Sequence, residues 1–419
     1  MELAEKISIL ADAAKYDASC SSSGSKGSHH SAKKGGLGAS AYAGVCHSWT
    51  GDGRCVSLLK LLFSNICKYD CVYCPNRASA DIKRASFTKD ELVNLTMEFY
   101  RRNYIEGLFL SSGIFADPDI VMQQLIGTAK KLRLESGYGG YIHLKVIPGA
   151  GENLIREAGY WADRLSANIE LPTEKSLKIL APQKSGKEIL GAMNYISQSG
   201  LEINEDSRRV KKAPKFLPAG QSTQLIVGAS SEDDRQIISL SGALYRKYAL
   251  KRVYYSAFIP VGIDGKKMQD PKLPDVEGPP LVREHRLYQA DWLMRFYNFA
   301  PDEILSPSSP YLDKDLDPKT VWALNHLDFF PVEVNKASYE ELLRVPGIGT
   351  VSAQRIVKQR RSRPLSFDIL KSLGIVLKRA RYFITASGFF TDMPDDPIEI
   401  RRKLLSDEQR SLQLPLFDF

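Results

Sequence analysis

Cysteine is scarce in this chain: there are six in 419 residues, and three of them fall close together at positions 67, 71 and 74. That excludes a disulfide framework, and in a reducing compartment so tight a group reads as metal ligands. Long apolar runs are missing as well. None approaches the roughly 20 residues that a membrane span requires. The opening residues Met1-Glu2-Leu3-Ala4-Glu5-Lys6 lack the pattern of a secretory leader, so a cytoplasmic location without membrane association is expected. An excess of charge is also absent from most of the chain. Of 57 basic and 49 acidic residues, 11 basic and 3 acidic lie in 335–381, which leaves 46 of each elsewhere. The whole net charge of +8 therefore sits in one short segment. Such a focus points to a polyanion, most often nucleic acid, with a solvated basic helix face as the plainer alternative.

What is present fits a soluble protein of more than one domain. The apolar content of 43% and charged content of 25% are ordinary, and the length predicts at least two domains. Residues 1–55 read as a short helix over 2–16 followed by a Ser/Gly-rich loop with Cys20, Cys46 and Cys55. From 56 to 300 a strand–helix alternation repeats. Apolar runs at 56–63, 107–112, 141–147, 165–169, 224–227 and 253–259 are separated by amphipathic stretches at 89–101, 118–133, 152–160, 174–199 and 233–248, and the last is followed by one at 283–299. Six βα units of this kind predict an α/β fold with a parallel sheet, an open TIM-like (β/α)6 partial barrel whose site lies in the loops after the strands. The helix over 283–299 is expected to pack on the barrel through Tyr288, Trp292 and Phe296. A linker over 301–330, a small all-α module over 331–390 and a tail over 391–419 complete the expected organisation.

The cysteine group Cys67-Lys68-Tyr69-Asp70-Cys71-Val72-Tyr73-Cys74 follows the first apolar run. Thiolates are soft ligands, so an iron–sulfur cluster and zinc are both candidates; a structural zinc would want a fourth ligand nearby. The C-x3-C-x2-C spacing with an aromatic residue before the last cysteine resembles the signature of the radical S-adenosylmethionine (radical SAM) superfamily. That resemblance implies that Cys67, Cys71 and Cys74 hold three irons of a [4Fe–4S] cluster. The fourth iron would be chelated by SAM, which is cleaved to a 5′-deoxyadenosyl radical with an electron from a donor such as flavodoxin or ferredoxin. It also assigns SAM contacts to Tyr73, to Ser112 and Gly113 after the second strand, to Ser166, Asn168 and Glu170 at the end of the fourth, and to Gln224 and Gly228 on the fifth. The family's Gly-Gly-Glu segment is replaced here by Leu110-Ser111-Ser112-Gly113, and the first glycine of its G-x-I-x-G segment by Gln224. His143 and Lys145 alternate on the third strand and are expected to point inward. For each of these polar residues, ordinary hydrogen bonding inside the barrel is the competing role. Cys20, Cys46 and Cys55, with His29, His30 or His47, are either ligands of an auxiliary metal, a redox thiol, or incidental buried thiols.

In the basic segment, residues 335–353 (NKASYEELLRVPGIGTVSA) resemble a helix–hairpin–helix. Pro346 ends one helix, Gly347 and Gly349 permit a tight hairpin around Ile348, and the next helix begins at about Thr350 with free N–H groups. Such an end grips a phosphate without reading sequence. Arg355, Lys358, Arg360 and Arg361 follow, with Arg363 close behind. Residues 370–381 look like a degenerate second hairpin. A helix–hairpin–helix DNA glycosylase is excluded, since no cysteine follows Cys74 and Asp368 lies too close to the hairpin. Gln413, Leu414, Leu416 and Phe417 fit the Q-L-x-L-F peptide that docks on the bacterial DNA sliding clamp.

Segments along nearly the whole chain (SCSSSG, CHSWTGDGRCVSLLK, FYRRNYIEGLFLSSG, PAGQSTQLIVGA, REHRLYQADWL and RVPGIG) resemble a bacterial group of DNA modification/repair radical SAM proteins. The resemblance implies a SAM-dependent radical enzyme acting on DNA, with the hairpin holding the backbone. Radical modification of RNA or tRNA, and a non-catalytic iron–sulfur DNA-binding adaptor, are the other readings.

Overall fold

The computed structural model describes residues 1–14, 45–49, 55–209, 215–262, 265–268, 270–389 and 396–412. Cys20, His29, His30 and the 413–419 peptide lie outside the described residues, as do the side chains of Cys46, His47 and Cys55. The chain divides into two compact units, 1–232 with 243–284, and 233–242 with 285–419.

The first unit opens with α1 (Leu3–Ala14) and β1 (Val45–Trp49). The repeat then runs β2 (Cys55–Leu62), α2 (Lys89–Arg101), β3 (Gly107–Ser111), α3 (Pro118–Leu134), β4 (Tyr141–Lys145), α4 (Glu152–Trp161) and β5 (Arg164–Ser166). It continues with α5 (Glu174–Leu180), α6 (Gly186–Arg209), β6 (Gln221–Val227), α7 (Asp234–Tyr248), β7 (Arg252–Ala257) and α8 (Leu281–Phe296). The sheet order is β1 to β7 in sequence. β2 to β7 pair parallel, and β1 lies antiparallel on the β2 edge, Val45 opposite Leu59. The six parallel strands are the predicted ones, and the (β/α)6 TIM-like partial barrel is the fold of this unit. Leu58, Leu61, Leu108, Leu110, Ile142, Leu144, Leu165, Leu225, Val253 and Tyr255 are fully buried. Strands covered on both faces read as near-continuous apolar runs for this reason.

Local chemistry sets the helix ends. Thr88 and Glu91 form a reciprocal capping box on α2, Asp117 caps α3 ahead of Pro118, and Thr173 caps α5. The stretch 174–199, expected as one helix, is interrupted between α5 and α6, where Pro182 lacks the N–H that continuation requires. β5 is only three residues long. Beyond it, Ile169 N–H donates to the Thr223 hydroxyl (2.9 Å), which donates to the Ala167 carbonyl (2.7 Å). These bonds stand in for a ladder.

The second unit contains parts of α7 and α8, then α9 (Pro301–Ile304), α10 (Pro318–Asn325), β8 (Val332–Glu333), α11 (Tyr339–Arg344), α12 (Thr350–Gln359), α13 (Phe367–Ser372), α14 (Leu377–Ala380), β9 (Ile384–Thr385) and α15 (Pro397–Leu412). β8 and β9 pair parallel and tie together the ends of the hairpin module. Trp322 is its aromatic centre, ringed by Phe299 (5.4 Å), Phe329 (5.7 Å) and His326 stacked at 4.4 Å. The Arg344 guanidinium lies 3.7 Å over the Phe299 ring and pairs with Glu303 at 3.1 Å. Trp292 and Phe296 on α8 differ from expectation. Rather than packing the helix down, they are 48% and 46% exposed.

Candidate functional site

The loop after β2 carries the three cysteines and is held by its neighbours at several points. Lys68 N–H donates to the Ile114 carbonyl (2.8 Å), Val72 N–H to Leu180 (2.7 Å) and Ala78 N–H to Tyr69 (2.9 Å). The Arg84 guanidinium donates to four carbonyls, those of Asn65 (2.7 Å), Asn76 (2.9 Å), Arg77 (2.6 Å) and Ala80 (3.0 Å). Five fixed N–H donors on a planar fork suit such a clamp. Gly113 packs so tightly that a Cβ there would overlap the Ile66 carbonyl oxygen, and its N–H donates to Ser64 (2.7 Å). The loop after β3 is thus fitted against the residue before Cys67.

Cys67, Cys71 and Cys74 are free thiols, Cys71 buried and the others half-buried. All three line a cavity with about 1170 Å³ of empty space, part of it open to solvent. The same wall carries Tyr73, Ser112, Gly113, Asn168, Glu170 and Gln224, together with Lys145, Asn76 and Lys184. Of the predicted SAM contacts, two lie elsewhere. Ser166 is buried with its hydroxyl 3.0 Å from His143 Nε2, and Gly228 turns at φ +84° against Pro280. His143 is not part of the cavity lining either; it shares its strand face with Lys145, which is, and lies edge-on to Phe109 at 4.5 Å.

Lys184 was not legible as a site residue. It comes from the break between α5 and α6, and its ammonium lies 2.7 Å from Glu170 and 3.5 Å from the Tyr73 hydroxyl. Glu170 itself has φ +65°, a left-handed backbone costly for any side chain but glycine. Its N–H and carbonyl bond to Gln224 (3.0 Å) and Ile226 (2.7 Å) of β6, which hold it there. Burial works against the Lys184 charge, yet Glu170, then Tyr73 and Cys71, keep its ammonium well above the ordinary lysine value. Burial pushes the Cys71 thiol up, with Lys184 opposing, and pushes the Cys74 thiol up to about 12. A bound cation reverses that preference and holds such thiols ionised.

The donors fit an iron–sulfur cluster. Among the described residues, no three His, Cys, Asp or Glu side chains close on a point that seats one ion. The three sulfurs instead share one wall of an open cavity with polar groups from the neighbouring strand ends. Backbone N–H groups already point at two of them, Tyr69 N–H at Cys67 Sγ (3.4 Å) and Asn76 N–H at Cys74. Hydrogen bonds to the sulfurs are one of the terms that set a cluster's potential.

Residues 61–206 match the Radical SAM superfamily. The part of the chain that carries the cysteine loop is thus similar to that superfamily. The superfamily's cofactors are a [4Fe–4S] cluster and S-adenosylmethionine, and its members are radical SAM enzymes. No curated protein matches the chain. Solved structures similar to the chain include HydG, a maturase of the [FeFe]-hydrogenase, at 15% identity over 56% of this chain and 48% of that one, TM-score 0.41. The HydG of Carboxydothermus hydrogenoformans is similar at 13% identity over 56% and 50%, TM-score 0.43. Methylornithine synthase (PylB) is similar at 16% identity over 54% and 60%, TM-score 0.39. The chain thus spans 48% to 60% of the length of these proteins.

Residues 329–374 match the helix-hairpin-helix motif. α11 begins at a Ser338/Glu341 capping box, and α12 begins at Thr350, its N-cap Gly349 offering no side-chain hydrogen bond. Gly347, between them, has φ +82°, and a Cβ there would lie 2.6 Å from the Val376 carbonyl. Val376 N–H donates back to the Gly347 carbonyl (3.1 Å), which ties the second hairpin, α13 and α14, to the first. Pro346 and Ile348 are buried; Gly347, Gly349 and Thr350 are half-buried. Arg355, Lys358, Arg361 and Arg363 are exposed on or after α12. Arg360 is not: it donates to the Val334 (2.9 Å) and Ala337 (2.5 Å) carbonyls of its own module. Beneath the hairpin, Lys319 is 8% exposed and donates to the Ile348 carbonyl (2.6 Å) under the Tyr297 ring (4.7 Å). Burial brings its ammonium down to about 7, with Asp317 opposing and Arg344 adding to the fall.

Proposed function

We propose that this chain is a radical SAM enzyme that modifies or repairs DNA, its second unit holding the DNA backbone through the helix–hairpin–helix. The observation that carries the reading is the single cavity that brings Cys67, Cys71 and Cys74 together with polar groups from the ends of β3 to β6. Cys67, Cys71 and Cys74 would hold three irons, and Ser112, Gly113, Asn168, Glu170, Gln224 and Tyr73 are the candidates to bind SAM beside them. When bound, the cluster and SAM supply a 5′-deoxyadenosyl radical able to take a hydrogen atom from carbon.

The chain's own residues prepare that chemistry. Arg84 and Gly113 fix the cysteine loop, so the thiols meet the cluster without a large ordering cost. The Lys184–Glu170 pair places a fixed charge of each sign beside the SAM candidates, in a wall where water is sparse and such charges act strongly. The bond between Ser166 and His143 (3.0 Å) ties β5 to β4 beside that wall. In the second unit, the uncapped N-terminus of α12 and the exposed Arg355, Lys358 and Arg361 suit a phosphate backbone. An electron donor such as flavodoxin or ferredoxin, and the sliding clamp at residues 413–419, are the partners this reading calls for.

Anaerobic reconstitution with iron and sulfide, then dithionite, SAM and DNA, should yield 5′-deoxyadenosine. Cys67, Cys71 and Cys74 together changed to Ala should abolish both the product and the bound iron. An intact cluster spectrum without any 5′-deoxyadenosine, with DNA or tRNA present, would leave only an adaptor. Retention of tRNA over DNA in competition would move the substrate to RNA. Mass spectrometry of deoxynucleosides from a deletion strain and its parent then identifies the modified base.

A further inference from the structure

The exposed aromatic pair on α8 is left without a role by the fold. Trp292 and Phe296 stand one helical turn apart, with ring centroids 4.6 Å apart and planes inclined at 46°. Nearly half of each side chain is in water, where an apolar cluster of this size is usually a contact surface.

The pair is held firmly. The Arg295 guanidinium lies 4.7 Å from the Phe296 ring centroid and 6.0 Å from that of Trp292. Arg295 is itself fixed by Asp291 (2.8 Å), which is fully buried. The Trp292 indole N–H donates to the Tyr297 hydroxyl. That same hydroxyl accepts the backbone N–H of Thr350, the first residue of α12. Two hydrogen bonds through one oxygen therefore join the aromatic pair to the end of the hairpin. The exposed rings are thus linked to the start of α12 and carry the Arg295 cation over them.

We infer that Trp292 and Phe296 form a stacking platform for an unpaired nucleobase, next to the phosphate gripped by the hairpin. The inference rests on the reading of the hairpin as a DNA-binding module and narrows its substrate to DNA with an unstacked nucleotide: a single strand, a gap or a flipped base. Every base offers a π-face, so such a platform is sequence-tolerant, and the guanidinium beside it adds a cation–π contact. A fully paired duplex offers its phosphates to the hairpin and no free face to the rings. Chemistry on a base requires that base to leave the stack.

The test uses the full-length, iron-loaded protein with a single-stranded oligonucleotide and the matching duplex at one salt concentration. Trp292→Ala should weaken single-strand binding by about tenfold or more. Phe296→Ala should act in the same direction, while Trp292→Phe keeps most of the affinity. Duplex binding and the salt slope, which reports phosphate contacts, should stay near wild type in all three. Indole emission of the wild type should be quenched by the single strand, and this component should be missing in Trp292→Phe. Unchanged single-strand affinity in Trp292→Ala, or absence of the Trp292-dependent quenching, overturns the platform. Equal losses on single strand and duplex overturn it too, and mark the pair as a support for the hairpin. A dimer that Trp292→Ala dissolves would also overturn it, because the rings then meet a second copy. A Gly347→Ala/Gly349→Ala variant separates the two levels. If it binds both DNAs like wild type, the hairpin reading fails; if it loses both while Trp292→Ala loses neither, only the platform fails.

Discussion

Arg84 shows how much of the site depends on residues with no chemistry of their own. Its guanidinium satisfies four carbonyls around the cysteine loop, and Arg84→Leu leaves them without a donor. At roughly 1 kcal/mol or more for each partly buried group left unpaired, the loop should loosen by several times thermal energy. Arg84→Leu should therefore bind less than half the iron of wild type after reconstitution while keeping its far-ultraviolet dichroism. Iron content equal to wild type would show that the loop holds itself. Glu284, at the start of α8, gives a pH prediction. Burial pushes its carboxyl up to about 7, against the pull of the Ala257 N–H it accepts at 2.6 Å. Its unfolded value is near 4.5, so between these pH values the folded chain binds a proton that the unfolded chain releases. The stability it contributes is complete below pH 4.5 and lost as pH rises through 7. Wild-type Tm should fall between pH 5 and 8 by more than that of Glu284→Gln, which has no proton to lose. Parallel curves would refute this assignment.

At the scale of elements, apolar runs bounded by turns located all six parallel strands, because both faces of each are covered and little else has that composition. The antiparallel β1 carries no such signal, since its five residues lack an apolar run. Lys184 was hidden for a related reason. The helical period of the sequence runs straight across Pro182, which places the residue that closes on Glu170 inside a helix. The exposure of Trp292 and Phe296 was equally invisible, because an aromatic residue at helical spacing reads as core. In the hairpin, Pro346 and Gly347 each answer a backbone demand, whereas Gly349, at φ −94°, has a backbone that any residue can adopt. That demand can be measured. Gly347→Ala puts a Cβ 2.6 Å from the Val376 carbonyl at φ +82°, and should cost about 1–3 kcal/mol. The expected sign is a lower Tm for the transition of the second unit together with weaker DNA binding. A Tm within half a degree of wild type would mean that the second hairpin moves aside freely.

For the whole molecule, the division into two compact units and the confinement of the net charge to 335–381 point the same way. The cysteine cavity is lined entirely by residues of the first unit, and the hairpin, with Lys319 beneath it and Arg344 on Phe299, is built entirely from the second. Among the described residues neither site borrows a side chain from the other, so their losses should separate. The triple Cys67→Ala/Cys71→Ala/Cys74→Ala chain should bind no iron, yet retain duplex DNA within about twofold of wild type and with the same salt slope. The Gly347→Ala/Gly349→Ala chain should take up iron and show the cluster spectrum in full, while its DNA affinity falls tenfold or more. Electrostatic backbone contacts of this kind weaken steeply with salt, so the comparison is made at one fixed salt concentration and repeated at a second. If removing the cysteines also abolishes DNA binding, without unfolding the second unit, then the cluster helps to form the DNA surface and the division of labour drawn from the two units is wrong. If the hairpin variant instead loses iron, the same conclusion follows from the other side.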